Sequence, residues 1–245
     1  MTTDQLLPTV SASRPVPGPA RRFRPARAGS WAWIALSSLA IAAYSVSQYA
    51  TGSLAALAED GVGLAPGYAG QPLLVQVAFY LHIGFAGVAL VVGPFQFAER
   101  LRTRVPRVHR IMGRTYLVSV AIGGTAALVM APFNTAGFVG FFGFGSLAVL
   151  WLFTGWKAYR SIRAGDVKAH QAWMIRNFAL TYAAVTLRLW IGVLIAVQLA
   201  TFGGEFDDVW ANVYAAVPFL CWIPNLVVAE LMVRRRGLPG LRWAR

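Results

Sequence analysis

Long apolar blocks almost free of charge alternate along this chain with connections rich in arginine, and that alternation leaves little choice of fold. The blocks cover about 30–50, 72–98, 112–132, 136–156, 173–202 and 208–233. Each is long enough to cross roughly 30 Å of hydrocarbon at about 1.5 Å per residue. Lipid offers no partners to loose backbone groups, so each block is expected to be helical. The expected fold is all-α, a polytopic bundle of six transmembrane helices. Composition agrees. Charged residues make up 13% and hydrophobic residues 57%, whereas a soluble domain carries about 25% charge.

The basic residues check the count of spans. Arg14, Arg21, Arg22, Arg24 and Arg27 precede the first block, and Arg100, Arg102, Arg104, Arg107, Arg110 and Arg114 lie around the second connection. Lys157, Arg160, Arg163, Lys168 and Arg176 surround the fourth, and Arg234, Arg235, Arg236, Arg242 and Arg245 close the chain. Only Arg188 is left over. The remaining connections carry Glu59, Asp60, Glu205, Asp207 and Asp208 instead. Six spans therefore put every basic segment on one face. The positive-inside rule makes that face the cytoplasm, with both termini there and the protein in the cell (inner) membrane. A net charge of +13 then reads as membrane orientation and attraction to anionic lipid, not as nucleic-acid binding.

Residues 1–29, with Pro8, Pro15, Pro17, Pro19 and Pro25 among them, lack the apolar content to order themselves and are expected to be a disordered tail. Residues 234–245 form a second basic tail. The first block is read as an uncleaved anchor, although Ala56-Leu57-Ala58 offers a pattern for cleavage. Cys221, the lone cysteine, excludes an internal disulfide and is expected to be a small buried hydrophobe. Trp31, Trp33, Trp156, Trp173, Trp210 and Trp243 fall near the block ends, as an aromatic belt does. The glycines of the fourth block, Gly137, Gly140, Gly143 and Gly145, suggest close packing on a neighbour in place of a ligand channel. Pro94, Pro218 and Pro224 are expected to kink or end their helices. Neither an inverted repeat nor paired broken helices, the marks of a carrier, stand out convincingly.

Polar groups deep in a bilayer are costly and default to function. Arg188 lies 12 residues past Arg176, too deep to reach either surface comfortably. His82 falls near the same depth, with Tyr80, Gln76, Tyr182 and Thr186 close to that level. His82, Arg188, Tyr80 and Asn225 are therefore the candidate buried polar site, for a quinone, a proton or a small molecule. The competing reading is a satisfied polar cluster that only holds helices in register. Asn225, after Pro224, fits best as a partner for backbone groups freed by the proline. Glu230 is expected to pair with a nearby arginine. His109 and His170 are each expected in a basic connection just before a helix, at matching depths on the third and fifth blocks. Two imidazoles from facing helices can ligate one haem b, with Arg110 and Arg114 on its propionates. The bland alternative is interfacial histidines meeting headgroups. Three histidines in all exclude two bis-histidine haems. No phosphate loop, nucleophile elbow or zinc-helix pattern is present.

The run Leu81-His82, Gly87, Gly93-Pro94-Phe95-Gln96, then His109-Arg110-x-x-Gly113-Arg114-x-Tyr116, resembles an uncharacterised bacterial integral-membrane family catalogued as domain of unknown function 2306. His170-x-x-Trp173-Met174-Ile175-Arg176, Thr186-Leu187-Arg188 and Trp222-Ile223-Pro224-Asn225 continue the likeness over roughly residues 75–230. The resemblance implies a multi-span membrane fold and carries no reaction. A looser similarity to membrane b-type cytochromes implies haem at histidine-bearing helix ends. The absence of a fourth histidine departs from the two-haem members. Three functions remain open from sequence: a redox protein with haem or a quinone site, a small-molecule or ion carrier, and a non-catalytic scaffold.

Overall fold

A computed structural model describes residues 25–241; the arginines at 14, 21, 22, 24, 242 and 245, Trp243 and most of the tails lie outside them. The described residues fold as helices: α1 (Pro25–Gln48), α2 (Leu54–Glu59), α3 (Ala65–Tyr68), α4 (Leu73–Gln96), α5 (Glu99–Arg104), α6 (Pro106–Met130), α7 (Gly137–Arg163), α8 (Val167–Thr181), α9 (Ala183–Thr201), α10 (Phe206–Leu220) and α11 (Ile223–Arg235). Among them, six segments are long and apolar enough to cross a membrane: Gly29–Gln48, Leu73–Gln96, Pro106–Phe133, Gly137–Arg163, Val167–Thr201 and Phe206–Arg235. The outward surface is correspondingly apolar, with Trp33, Leu36, Leu73, Phe138 and Phe202 exposed.

Both α6 and α8 begin well before their apolar blocks do. Pro106 starts α6 at a position where its missing N–H costs nothing. Asp166 caps α8, its carboxylate accepting from the Ala169 N–H at 2.9 Å. His109 and His170 therefore sit inside helices, not in connections ahead of them.

The fifth and sixth spans are interrupted, the sixth beside Pro224, one of the prolines expected to end a helix, and the fifth with no such signal in the sequence. The fifth breaks at Tyr182, between α8 and α9, and the sixth at Cys221–Trp222, between α10 and α11. Pro224 lacks an N–H, and its ring crowds the carbonyl four residues back, which ends α10 at Leu220. The two breaks are laced together. Thr186 Oγ1 donates to the Cys221 carbonyl at 2.6 Å. The Asn225 amide donates to the carbonyls of Ala179 and Cys221, each at 3.1 Å, and to Thr186 Oγ1 at 2.9 Å. Side chains thus take up carbonyls that a continuous helix would have used itself.

The connection after α1 is also structured. Ser53 caps α2 by accepting from the Ala56 N–H. Leu54, Leu57, Ala65 and Tyr68 then pack onto Val75, Ala78, Phe79, Ala126 and Met130, closing the acidic end of the bundle. Gln76 braces this cap with donor bonds to the carbonyls of Ala69 and Gln71, and Tyr49 Oη accepts from the Leu64 N–H. The turn between α2 and α3 carries Gly61 and Gly63 at φ +67° and +54°, a region that side chains disfavour.

Close approach elsewhere depends on missing side chains. A Cβ at Gly93 of α4 would land on the Phe178 ring and crowd Tyr116, whereas one at Gly84 would meet nothing within 4 Å. Gly93→Val is expected to destabilise the protein by about 1–3 kcal/mol and lower its thermal midpoint in detergent. Gly84→Ala should leave that midpoint nearly unchanged.

Candidate functional site

At the centre, α6, α7 and α8 are joined by a buried polar network that sequence reading did not single out. Tyr116 Oη donates to Asn177 Oδ1 at 2.7 Å and bonds Thr181 Oγ1 at 2.7 Å. The Trp151 indole N–H donates to Thr181 Oγ1 at 2.8 Å. Asn177 Nδ2 donates to the Trp151 carbonyl at 2.7 Å and to Thr154 Oγ1 at 2.8 Å. Tyr116 and Asn177 are both fully buried. Every polar atom of the Asn177 amide is matched, so this cluster sets helix register and is not itself a binding site.

Beside it lies a cavity of about 230 Å³, lined by α1, α3, α4, α6, α7, α8, α9 and α10. Its walls are mainly aliphatic and aromatic. The polar groups that reach it include His82, Arg188, Ser45, Tyr49, Tyr68 and Tyr214. Phe144, Leu147 and Ala148 of α7 also line it. The fourth span therefore does both jobs, since Gly143 packs on Pro218 one residue from Phe144, which faces the cavity. Close packing and a ligand wall are not exclusive on one helix.

His82 Nδ1 is 2.9 Å from the Gly123 carbonyl. That bond requires the proton on Nδ1 and leaves Nε2 as an acceptor. Arg188 donates from Nη1 to the Ala184 carbonyl at 2.8 Å and from Nη2 to Ser45 Oγ at 2.7 Å. No carboxylate among the described residues forms an ion pair with it. A guanidinium has five N–H donors, so these two bonds leave others for a guest. Tyr44, Tyr49 and Tyr214 are close enough to interact with it electrostatically. Tyr68, on the cap outside the spans, has its phenol pushed up by burial and secondarily by Tyr214 and Tyr49, and stays a neutral donor.

The structure brings His82 and Arg188 to one cavity and leaves Tyr80 and Asn225 out of it. Tyr80 precedes His82 by two positions, which places it on another helix face; it is exposed and packs edge-on to Phe79. The Asn225 amide is committed to the break between α10 and α11. Glu230 pairs with the buried Arg176 at 2.7 Å, and the guanidinium also lies over Trp173. Sequence reading had placed Arg176 among the basic connections, whereas it is 2% exposed.

His109 and His170 follow the same register as the central network. Both α6 and α8 start at the basic end, so they run parallel. His109 precedes Tyr116 by seven residues, as His170 precedes Asn177, and Tyr116 and Asn177 touch. His109 is within electrostatic reach of His170 and Arg102. His170 Nδ1 bonds the Ala158 carbonyl at 2.9 Å, while buried His109 Nδ1 has no partner. Arg110 and Arg114 are exposed.

Removing the phenol oxygen in Tyr116→Phe leaves Asn177 Oδ1 without its donor. The expected cost is about 1–3 kcal/mol, read from thermal unfolding in detergent. The double variant with Asn177→Ala should lose less than the sum of the two single variants.

Residues 79–233 match the family described as Predicted membrane protein (DUF2306). No curated protein and no solved structure matches the chain.

Proposed function

The chain belongs to the DUF2306 family of predicted membrane proteins, and we propose that it is an intramembrane binding protein for a quinone-type molecule held between Arg188 and His82. The observation that carries this reading is the unpaired guanidinium inside a mostly apolar cavity. A cation in such a place is costly unless something electron-rich meets it. The volume exceeds the roughly 150 Å³ that holds a benzene ring, so a ring with oxygen substituents fits. Arg188 donates to a carbonyl oxygen of the quinone. His82 Nε2 accepts from the hydroxyl of the corresponding quinol. The two residues together distinguish the ring's redox forms by hydrogen bonding, which an apolar wall alone does not do.

A saturable titration with a short-chain benzoquinone, followed by quenching of the protein's tryptophan fluorescence, tests this. Arg188→Gln should weaken binding by about tenfold to a hundredfold, the worth of a charge-assisted hydrogen bond. Wild-type protein that does not bind the quinone, or an Arg188→Gln protein that binds it equally well, would end the proposal.

The interrupted fifth and sixth spans favour a second reading, a carrier for a small organic anion. Cys221, at one break, lines the cavity, so a change at the breaks would reshape the site. Uptake of benzoate into proteoliposomes separates this reading from a stationary binding site. One haem b between His109 and His170 is a further proposal and would supply one-electron chemistry at the basic end. It is supported by their matched register and by the free Nε2 that the Ala158 bond leaves on His170. Protein purified after haem-supplemented expression should show a Soret band that His170→Ala abolishes.

We place the basic end, with both termini, in the cytoplasm of the cell (inner) membrane, on the strength of the arginine distribution. In a Cys221→Ser background, cysteines introduced at Arg104 and Gly165 should react with an impermeant reagent from the same side. Labelling from opposite sides refutes the arrangement.

A further inference from the structure

At the basic end, α7 and α8 build an outward-facing trough whose chemistry changes with depth. Phe153 and Trp156 are 44% and 52% exposed, although they sit beside each other at 6.2 Å. Phe153 meets the Trp173 ring edge-on at 5.8 Å. The Lys157 ammonium lies 5.9 Å from the centre of the Trp156 ring and 5.5 Å from that of Trp173. Arg160 lies over the Trp156 ring at 5.4 Å. Trp173 is held from behind, since Arg176 stacks on it at 4.8 Å while bound to Glu230.

The helix α7 runs toward the basic end. From Phe153 to Arg160 it climbs about 10 Å, passing from an apolar ring, past Trp156 and the neighbouring Trp173 of α8, to two cations. Neither Lys157 nor Arg160 forms an ion pair among the described residues. Their side chains are steadied by aromatic faces and not by carboxylates, which leaves both charges available. An acyl chain, a glycerol backbone and a phosphate follow one another in that same order of depth.

We infer that this trough binds the phosphodiester of an anionic glycerophospholipid in the adjoining leaflet, with Lys157 and Arg160 on the phosphate and Phe153 against the acyl chain. The site is separate from the central cavity and stands without it.

Native mass spectrometry of the full chain, released from detergent with phosphatidylglycerol, phosphatidylcholine or inorganic phosphate, tests the inference. The wild type should retain phosphatidylglycerol in clear preference to phosphatidylcholine. Lys157→Gln and Arg160→Gln should each reduce that retention about fivefold. Arg104→Gln removes the same charge at the same end of the bundle, on α5, which packs against α4 and α6 and not against the trough, and should change it little. The inference fails if the two lipids are retained equally, if Arg104→Gln acts as strongly as the trough variants, or if inorganic phosphate displaces the lipid. Unchanged thermal midpoints in the variants confirm that binding, not folding, is being read.

Discussion

Every carbonyl and N–H that enters hydrocarbon must find its partner within the protein, and the rest of this structure follows from how that demand is met. Most of the chain meets it with unbroken helix. Where the fifth and sixth spans depart from helix, the carbonyls of Ala179 and Cys221 are taken up by Asn225 and Thr186. The departures are therefore stable features, and they occur beside each other because each supplies partners to the other. An isolated break in either span would expose backbone groups to lipid.

The same rule sorts the buried side chains into two kinds. Tyr116, Asn177, Thr181 and Trp151 satisfy one another and fix three helices in register. Arg176 is matched by Glu230 and lies over an indole. Arg188 is different, because it borrows a backbone carbonyl and a serine hydroxyl and has no counter-charge among the described residues. Much of the deeply placed polarity is thus matched within the bundle, and the guanidinium without a counter-charge lies on the cavity.

The number of spans and their alternation could be read directly from sequence. Apolar length gives six spans, and arginine placement is a separate signal that calls for an even number of crossings. The shared level of His82 and Arg188 could be counted along helices of known rise. Azimuth was harder to read: Tyr80 shares that depth yet points elsewhere. The break at Tyr182 left no mark because neither proline nor glycine stands there; the residue that takes up the Ala179 carbonyl, Asn225, is 46 residues away in the sixth span. The cap over the acidic end was hidden for a similar reason, since Leu54, Leu57 and Tyr68 form too short a pattern to reveal helices that exist by packing on the bundle. The central network was visible only as residue types, Tyr116 and Asn177 each following a histidine by seven positions, until the parallel run of α6 and α8 gave that spacing meaning.

The cavity draws its walls from two stretches of unequal standing. His82, Trp151, Arg188 and Tyr214 fall within the part of the chain that carries the family likeness, while Ile41, Ser45, Tyr49, Leu64 and Tyr68 come before it. His82 and Arg188 are therefore encoded apart from one part of the wall around them. Under the proposed function, substitutions in α1 and its cap away from Ser45 reshape that part of the wall and leave both polar side chains in place, much as a lock is rekeyed while its bolt stays in the door.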